Sequence, residues 1–226
     1  MLEEAQASKL RIEIIAFDES APKPVAGAGF GGAETLLHMT KALMRELSDV
    51  ETAQGVVALA VRPSFDSAWL ANPKAFILIL DRLQDPGNVG TLIRSAEAAG
   101  ASGVLLTRGC ADPLAPKALR ASAGSAFRLP HLSGLSAAEA LAFLPRGALV
   151  LAARATPLAA SIFGVELSFP LALALGSEGS GLSPEFEAAG TVAVRIPHAR
   201  KVESLNVAAA GSVAMFEIAR RAGQLS

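Results

Sequence analysis

The chain has 226 residues, of which 51% are hydrophobic and 18% charged, with 20 Lys and Arg against 21 Asp and Glu for a formal charge of −1. That length suits one large domain, or a small domain joined to a medium one, with enough apolar residues for a well-filled core. The single cysteine, Cys110, excludes an internal disulfide framework and any multi-cysteine metal site.

No internal repeat or low-complexity run is present. The first ten residues, MLEEAQASKL, are acidic and lack the apolar stretch of a signal peptide. Apolar runs such as AFILIL (75–80) and LALALG (171–176) are far too short to span a bilayer. The expectation is a soluble, cytoplasmic protein with no membrane partner. Charge is unevenly distributed: residues 1–73 carry 10 acidic and 6 basic side chains, net −4, and residues 74–226 carry 11 acidic and 14 basic, net +3. A polyanion site therefore belongs in the second part.

In chain order, RIEIIAFD (11–18) alternates as a strand does, and a Pro/Gly loop follows over 19–32. ETLLHMTKALMREL (34–47) reads as a helix and GVVALAV (55–61) as a second strand. A small α/β domain over residues 1–66 follows, with a linker near 61–74. Beyond it, FILILD (76–81), GVLLT (103–107), ALVLAAR (148–154), LALALG (171–176) and VAVRI (192–196) are continuous apolar runs. Such runs are strands covered on both faces, hence a parallel α/β sheet over residues 74–226. Helical patterns fall between them at 88–99, 113–121, 136–144, 183–189 and 204–222. Asn88 and Ser183 are the expected caps of two of these, and Gly100 the end of the first. The last helix, rich in small residues, suits close packing.

Four segments stand out. Gly27-Ala28-Gly29-Phe30-Gly31-Gly32 matches a dinucleotide fingerprint, the basis for a rival reading as a nucleotide-dependent oxidoreductase. That fingerprint must follow a strand directly and open a helix; here Pro22 and Pro24 intervene, so a surface loop is the better reading. In 81–100, a buried strand enters a Pro-Gly turn and then a helix on which Asn88, Thr91 and Arg94 recur every third residue. By itself this is an amphipathic helix with a surface arginine. In 175–185 a strand breaks into three glycines and Glu178 ahead of a capped helix, which permits close backbone approach to a ligand. By itself this is a tight turn, and the absence of a following lysine excludes a Walker loop. In 196–208 a strand end and basic turn lead to Ser204 and Asn206 at a helix start, a position suited to polar ligands. By itself this is a helix cap, with Ser204 as the capping residue.

Taken in order, N-V-G-T-L-I-R (88–94), G-S-E-G-S-G-L (176–182) and I-P-x-x-x-x-V-E-S-L-N-V-A (196–208) resemble the three motifs of the SpoU/TrmH branch of the SPOUT methyltransferases. PKALRASAGSAFRLP (116–130) is similar to the stretch between the first two, and the likeness covers residues 74–222. The resemblance implies an α/β methyltransferase domain whose C-terminal segment, about residues 171–215, is threaded into a trefoil knot. It implies S-adenosyl-L-methionine as cofactor, an RNA ribose 2′-hydroxyl as methyl acceptor, and a homodimer formed through knot-region helices. Ribosomal RNA is preferred to transfer RNA.

By the same resemblance the cofactor site includes Ala153, Leu175, Gly176, Glu178 and Gly179, then Ile196, Pro197, Leu205 and Asn206. The implied catalytic group is Arg94 with Asn88, Glu178, Ser204 and Asn206. Arg94, Arg120, Arg128, Arg200 and Lys201 are the expected RNA contacts, and no metal is implied. A guanidinium does not deprotonate near neutral pH, so Arg94 is read as an oxyanion or phosphate clamp and not as a base. Position 200 is Arg where the family usually has Gly, a change expected to alter the loop beside the cofactor or to add a phosphate contact.

Residues LEEAQASKLRIEIIAFDES and LSDVETAQGVVAL resemble the family's small N-terminal substrate-binding domain. The basic segment that usually precedes it is missing, so this domain is expected to be shortened at its start. The alternative functional reading is a catalytically decayed RNA-binding protein on the same fold. Retention of Asn88, Arg94, Glu178, Ser204 and Asn206 argues against it.

Overall fold

The computed structural model describes residues 1–21, 33–48, 54–199 and 204–225. The chain divides into two units, Met1–Ser64 and Phe65–Ser226. The glycine-rich segment 27–32, together with Arg200 and Lys201, lies outside the described residues.

In the first unit, α1 (Leu2–Ala7) precedes β1 (Ile12–Phe17), and β2 (Ala33–His38), α2 (Lys41–Leu47) and β3 (Val56–Ala60) follow. The strands lie in the order β2-β1-β3, with β2 parallel and β3 antiparallel to β1. Ile15 and Met44 are its deepest-buried large side chains, at 0% and 1% exposure. The single helix expected over 34–47 is corrected here. Residues Ala33–His38 pair with β1 from Ile12↔Ala33 to Phe17↔His38, and the helix begins only at Lys41. Thr40 stops the strand and caps that helix, its hydroxyl accepting from the Leu43 amide at 3.4 Å. Helix periodicity in the 34–38 stretch yields to backbone pairing along a sheet edge, which local propensity is too weak to oppose.

The second unit is a seven-stranded, wholly parallel sheet. Its strands are β4 (Phe76–Asp81), β5 (Gly103–Thr107), β6 (His131–Leu135), β7 (Leu149–Ala153), β8 (Ala160–Ser161), β9 (Leu171–Gly176) and β10 (Val192–Arg195). They lie in the order β6-β5-β4-β9-β7-β10-β8. Its helices are α3 (Pro86–Ala98), α4 (Pro116–Ser122), α5 (Ser125–Arg128), α6 (Ala137–Ala142), α7 (Pro184–Ala188) and α8 (Val207–Arg221).

The apolar runs have the cause expected of them, since every residue of β4 is buried. Phe76, Leu78 and Leu80 join one core with Leu92 and Ile93 of α3 and Met215 and Ile218 of α8. Ile77 and Ile79 face the opposite core with Ala140 of α6 and Phe186 of α7. Each buried Leu, Ile or Phe contributes about 1.5–3 kcal/mol, so this two-sided burial dominates the unit's stability. Gly90 sets the approach of two helices: a Cβ there would lie 2.2 Å from the Ala118 carbonyl oxygen and 2.8 Å from Ala121 Cβ.

The start of α3 differs from expectation. Asp85, not Asn88, is the N-cap: its carboxylate accepts from the Asn88 amide at 3.1 Å, and Pro86 takes the first turn. The Lys117 ammonium 2.6 Å away, then the Asn88 amide, hold the Asp85 carboxyl below the usual carboxylate range. The Asn88 side chain is thereby left available for other contacts. Cys110 is half-buried, its thiol donating to the Leu80 carbonyl at 3.2 Å, and burial pushes its pKa up. Among the described residues no helix is long and apolar enough to cross a membrane, and no cluster of three or more His, Cys, Asp or Glu could hold a metal.

Candidate active site

Asp81 ends β4 fully buried, at 0% exposure. A carboxylate in that position requires donors. The Thr107 hydroxyl supplies one at 2.7 Å, and the Ser183 amide and hydroxyl supply two more at 2.6 and 2.7 Å. Ser183 begins α7 but makes no side-chain cap bond, so its hydroxyl serves Asp81 and not the helix. The next residue, Arg82, has a left-handed φ of 57°. Its amide donates to Thr107 Oγ1 at 3.0 Å and its guanidinium to the Gly181 carbonyl at 3.2 Å. Residues 81 and 82 thus fix the far end of the glycine loop that follows β9.

The near end is fixed by the loop itself. Ser177 and Gly181 form an antiparallel bridge, with the Gly181 amide 2.9 Å from the Ser177 carbonyl. A Cβ on Gly176 would lie 2.3–2.4 Å from the backbone of Gly181 and Leu182, so the loop closes this tightly only with glycine at 176.

The loop presents Glu178. Its Oε1 accepts from Asn206 Nδ2 at 3.1 Å and from the Val207 amide at 3.3 Å. A carboxylate at the first turn of α8 complements the positive end of that helix. Asn206 is the N-cap, accepting from the amides of Ala208 and Ala209 at 3.0 and 3.2 Å. Its Nδ2 also donates to Asn88 Oδ1 at 3.1 Å. One asparagine therefore joins the start of α3, the glycine loop and the start of α8.

Beside this junction lies a cavity of about 410 Å³. Residues 153–156 at the end of β7, the end of β9 and its loop, and residues 194–196 form its walls. Ile162, Val194, Val207, Ala210 and Ala214 give it an apolar lining. Its position at the carboxyl ends of parallel strands is where open α/β sheets bind ligands.

Residues 75–216 match the SpoU rRNA Methylase family. The chain belongs to that family. It is 37% identical over 181 residues to an uncharacterized tRNA/rRNA methyltransferase of Synechocystis, covering 79% of this chain and 65% of that protein. It is 36% identical over 145 residues to the 23S rRNA (guanosine-2′-O-)-methyltransferase RlmB of Burkholderia, covering 64% of this chain and 59% of that one. The chain thus spans less than two thirds of the length of these relatives. The crystal structure of an AdoMet-bound rRNA methyltransferase from Sinorhizobium meliloti superposes with a TM-score of 0.81 at 28% identity, covering all of this chain and 85% of that one.

Within this SpoU-family chain the residues singled out from sequence fall into three groups. Ala153, Leu175, Gly176, Glu178, Ile196 and Leu205 line the cavity, and so does Ser204. Ser204 is not the helix cap that the sequence suggested, because Asn206 holds that position. Gly179, Pro197 and Asn206 lie outside the lining, with Asn206 bonded to Glu178.

The third group is the arginines. Arg94 is exposed on α3 and outside the lining. Arg120 is exposed in the last turn of α4. Arg128 is paired with both oxygens of Glu97 at 2.7 and 2.9 Å, and this pairing holds the Glu97 carboxyl low. A guanidinium so engaged has fewer donors left for phosphate. Sequence reasoning missed the buried Asp81, and Arg154 and Glu187, which also line the cavity. The available signal for Asp81 was a carboxylate at the end of an otherwise apolar strand. For Arg154 it was its place immediately after β7.

Proposed function

We propose that this chain transfers a methyl group from S-adenosyl-L-methionine to the ribose 2′-hydroxyl of an RNA, acting as a homodimer. The observation that carries this reading is the Asn206 junction, which bonds Asn88 of the first motif and Glu178 of the second to the third, with Glu178, Ser204 and Leu205 lining the adjoining cavity. The cavity's volume lies within the roughly 300–1,000 Å³ of small-molecule and cofactor sites. Its apolar lining suits a purine nucleoside, and Cβ positions at Gly179 and Gly181 meet only open space.

When bound, the sulfonium supplies the methyl group. The chain's part is to hold the two reactants in line and to favour the charge that develops on the acceptor oxygen. Glu178 and Asn206 fix the rim, Asn88 ties α3 to it, and Arg94 presents a permanent cation from the same helix. That cation stabilises the developing alkoxide or clamps an adjacent phosphate. Ser204 positions the ribose, and Arg120 is a phosphate contact. The first unit contributes RNA binding. Val213 and Phe216, each 41% exposed on α8, supply apolar surface for a second copy. β9 lies between β4 and β7, and β10 between β7 and β8. This late insertion among earlier strands supports a threaded C-terminal segment.

Calorimetric titration with S-adenosylhomocysteine tests the cofactor assignment: one molecule per chain is expected. No binding would overturn the assignment and favour a non-catalytic RNA-binding protein.

A further inference from the structure

Five charged or titratable side chains line the cavity among the described residues: Arg154, Glu178, Glu187, Arg195 and His198. Glu178 is committed to Asn206 and the Val207 amide. Arg195 donates through Nε to the Ala159 carbonyl at 3.2 Å. Arg154 and Glu187 come from different elements, the end of β7 and α7, and meet at 2.5 Å as an ion pair. Their side chains are 30% and 59% exposed.

We propose that Arg154 and Glu187 form the subsite for the zwitterionic amino-acid end of the methyl donor; this rests on the cofactor reading above. The donor has an uncharged nucleoside at one end and an α-ammonium beside a carboxylate at the other. The cavity offers both kinds of surface, apolar side chains such as Ile162, Val194 and Ala214 and the Arg154–Glu187 ion pair. A zwitterion and an ion pair exchange partners readily. The guanidinium takes the carboxylate through two parallel N–H bonds, and the glutamate takes the ammonium. An exposed pair contributes little to stability, so opening it costs the fold little.

Calorimetry with two probes tests this on the full chain. S-adenosylhomocysteine carries the amino-acid end, and 5′-deoxy-5′-methylthioadenosine lacks it. In R154Q and E187Q the affinity for S-adenosylhomocysteine is expected to fall about 10- to 100-fold, the loss of a charge-assisted hydrogen bond. Affinity for methylthioadenosine is expected to stay at the wild-type value. The double variant R154E/E187R keeps an ion pair between these positions and separates a folding defect from a binding one; it is expected to show the same contrast.

A parallel loss for both probes in the double variant would overturn the proposal and make the pair a structural strut. Unchanged affinity for S-adenosylhomocysteine in the single variants would overturn it as well. If the wild-type chain bound neither probe, the cofactor reading itself would fall, a result distinct from either.

Discussion

Replacing Arg94 by alanine is expected to lower the methyl-transfer rate about 10²- to 10³-fold, the usual effect of removing one preorganised donor from a developing oxyanion. Affinity for S-adenosylhomocysteine is expected to remain nearly unchanged. The second half follows from geometry, because Arg94 is exposed on α3 and takes no part in the cavity wall. Its link to the site is the helix: Asn88, about one and two-thirds turns earlier, is bonded to Asn206. Lysine at 94 keeps the charge but not the planar fork, and is expected to recover only part of the rate. Single-turnover kinetics with RNA and titration of the same preparation read the two effects separately. Retained turnover would remove the assigned role. Lost cofactor binding would place Arg94 in the pocket architecture instead.

Replacing Asp81 by alanine is expected to have the largest effect on stability, about 3 kcal/mol, since it strands several buried donors at once. The Ser183 amide and hydroxyl lose their acceptor, Thr107 keeps only the Arg108 carbonyl at 3.5 Å, and Arg82 loses its nearest carboxylate, 3.5 Å from its Nε. The effect is expected to reach the cofactor site, because Ser183 closes the loop that carries Glu178. Asn at 81 keeps one acceptor and is expected to lie between. Urea unfolding gives the first quantity and S-adenosylhomocysteine affinity the second. An Asp81→Ala chain as stable as the wild type would contradict the account of how the loop is anchored.

The parallel sheet was legible because its strands are buried on both faces, which leaves uninterrupted apolar runs such as FILILD and LALALG. β6 was not, since HLSGL at the sheet edge is only partly buried and carries neither pattern. Nor was β2, where ETLLH has helical spacing and only pairing with β1 decides the outcome. The three motifs announced themselves by residue type. Their meeting at Asn206 did not, because that contact spans 118 residues between Asn88 and Asn206. Two of the capping assignments failed for one reason, while Ser183 does hold the N-cap position of its helix. Asn88 and Ser204 are suitable caps by type, yet Asp85 and Asn206 are the residues whose side chains reach the free amides. Arg154 and Glu187 were hidden because nothing in a sequence shows that two side chains 33 positions apart meet across a cavity.

The central claim is tested most directly by incubating the chain with RNA and S-adenosyl-L-methionine carrying an isotopically labelled methyl group. The RNA is then digested to nucleosides and analysed by mass spectrometry. A labelled 2′-O-methylated nucleoside, formed about 10²- to 10³-fold more slowly when Arg94→Ala replaces the wild type, is the predicted result. Label on a base, or no transfer to any RNA by a chain that binds the donor, would contradict the assignment.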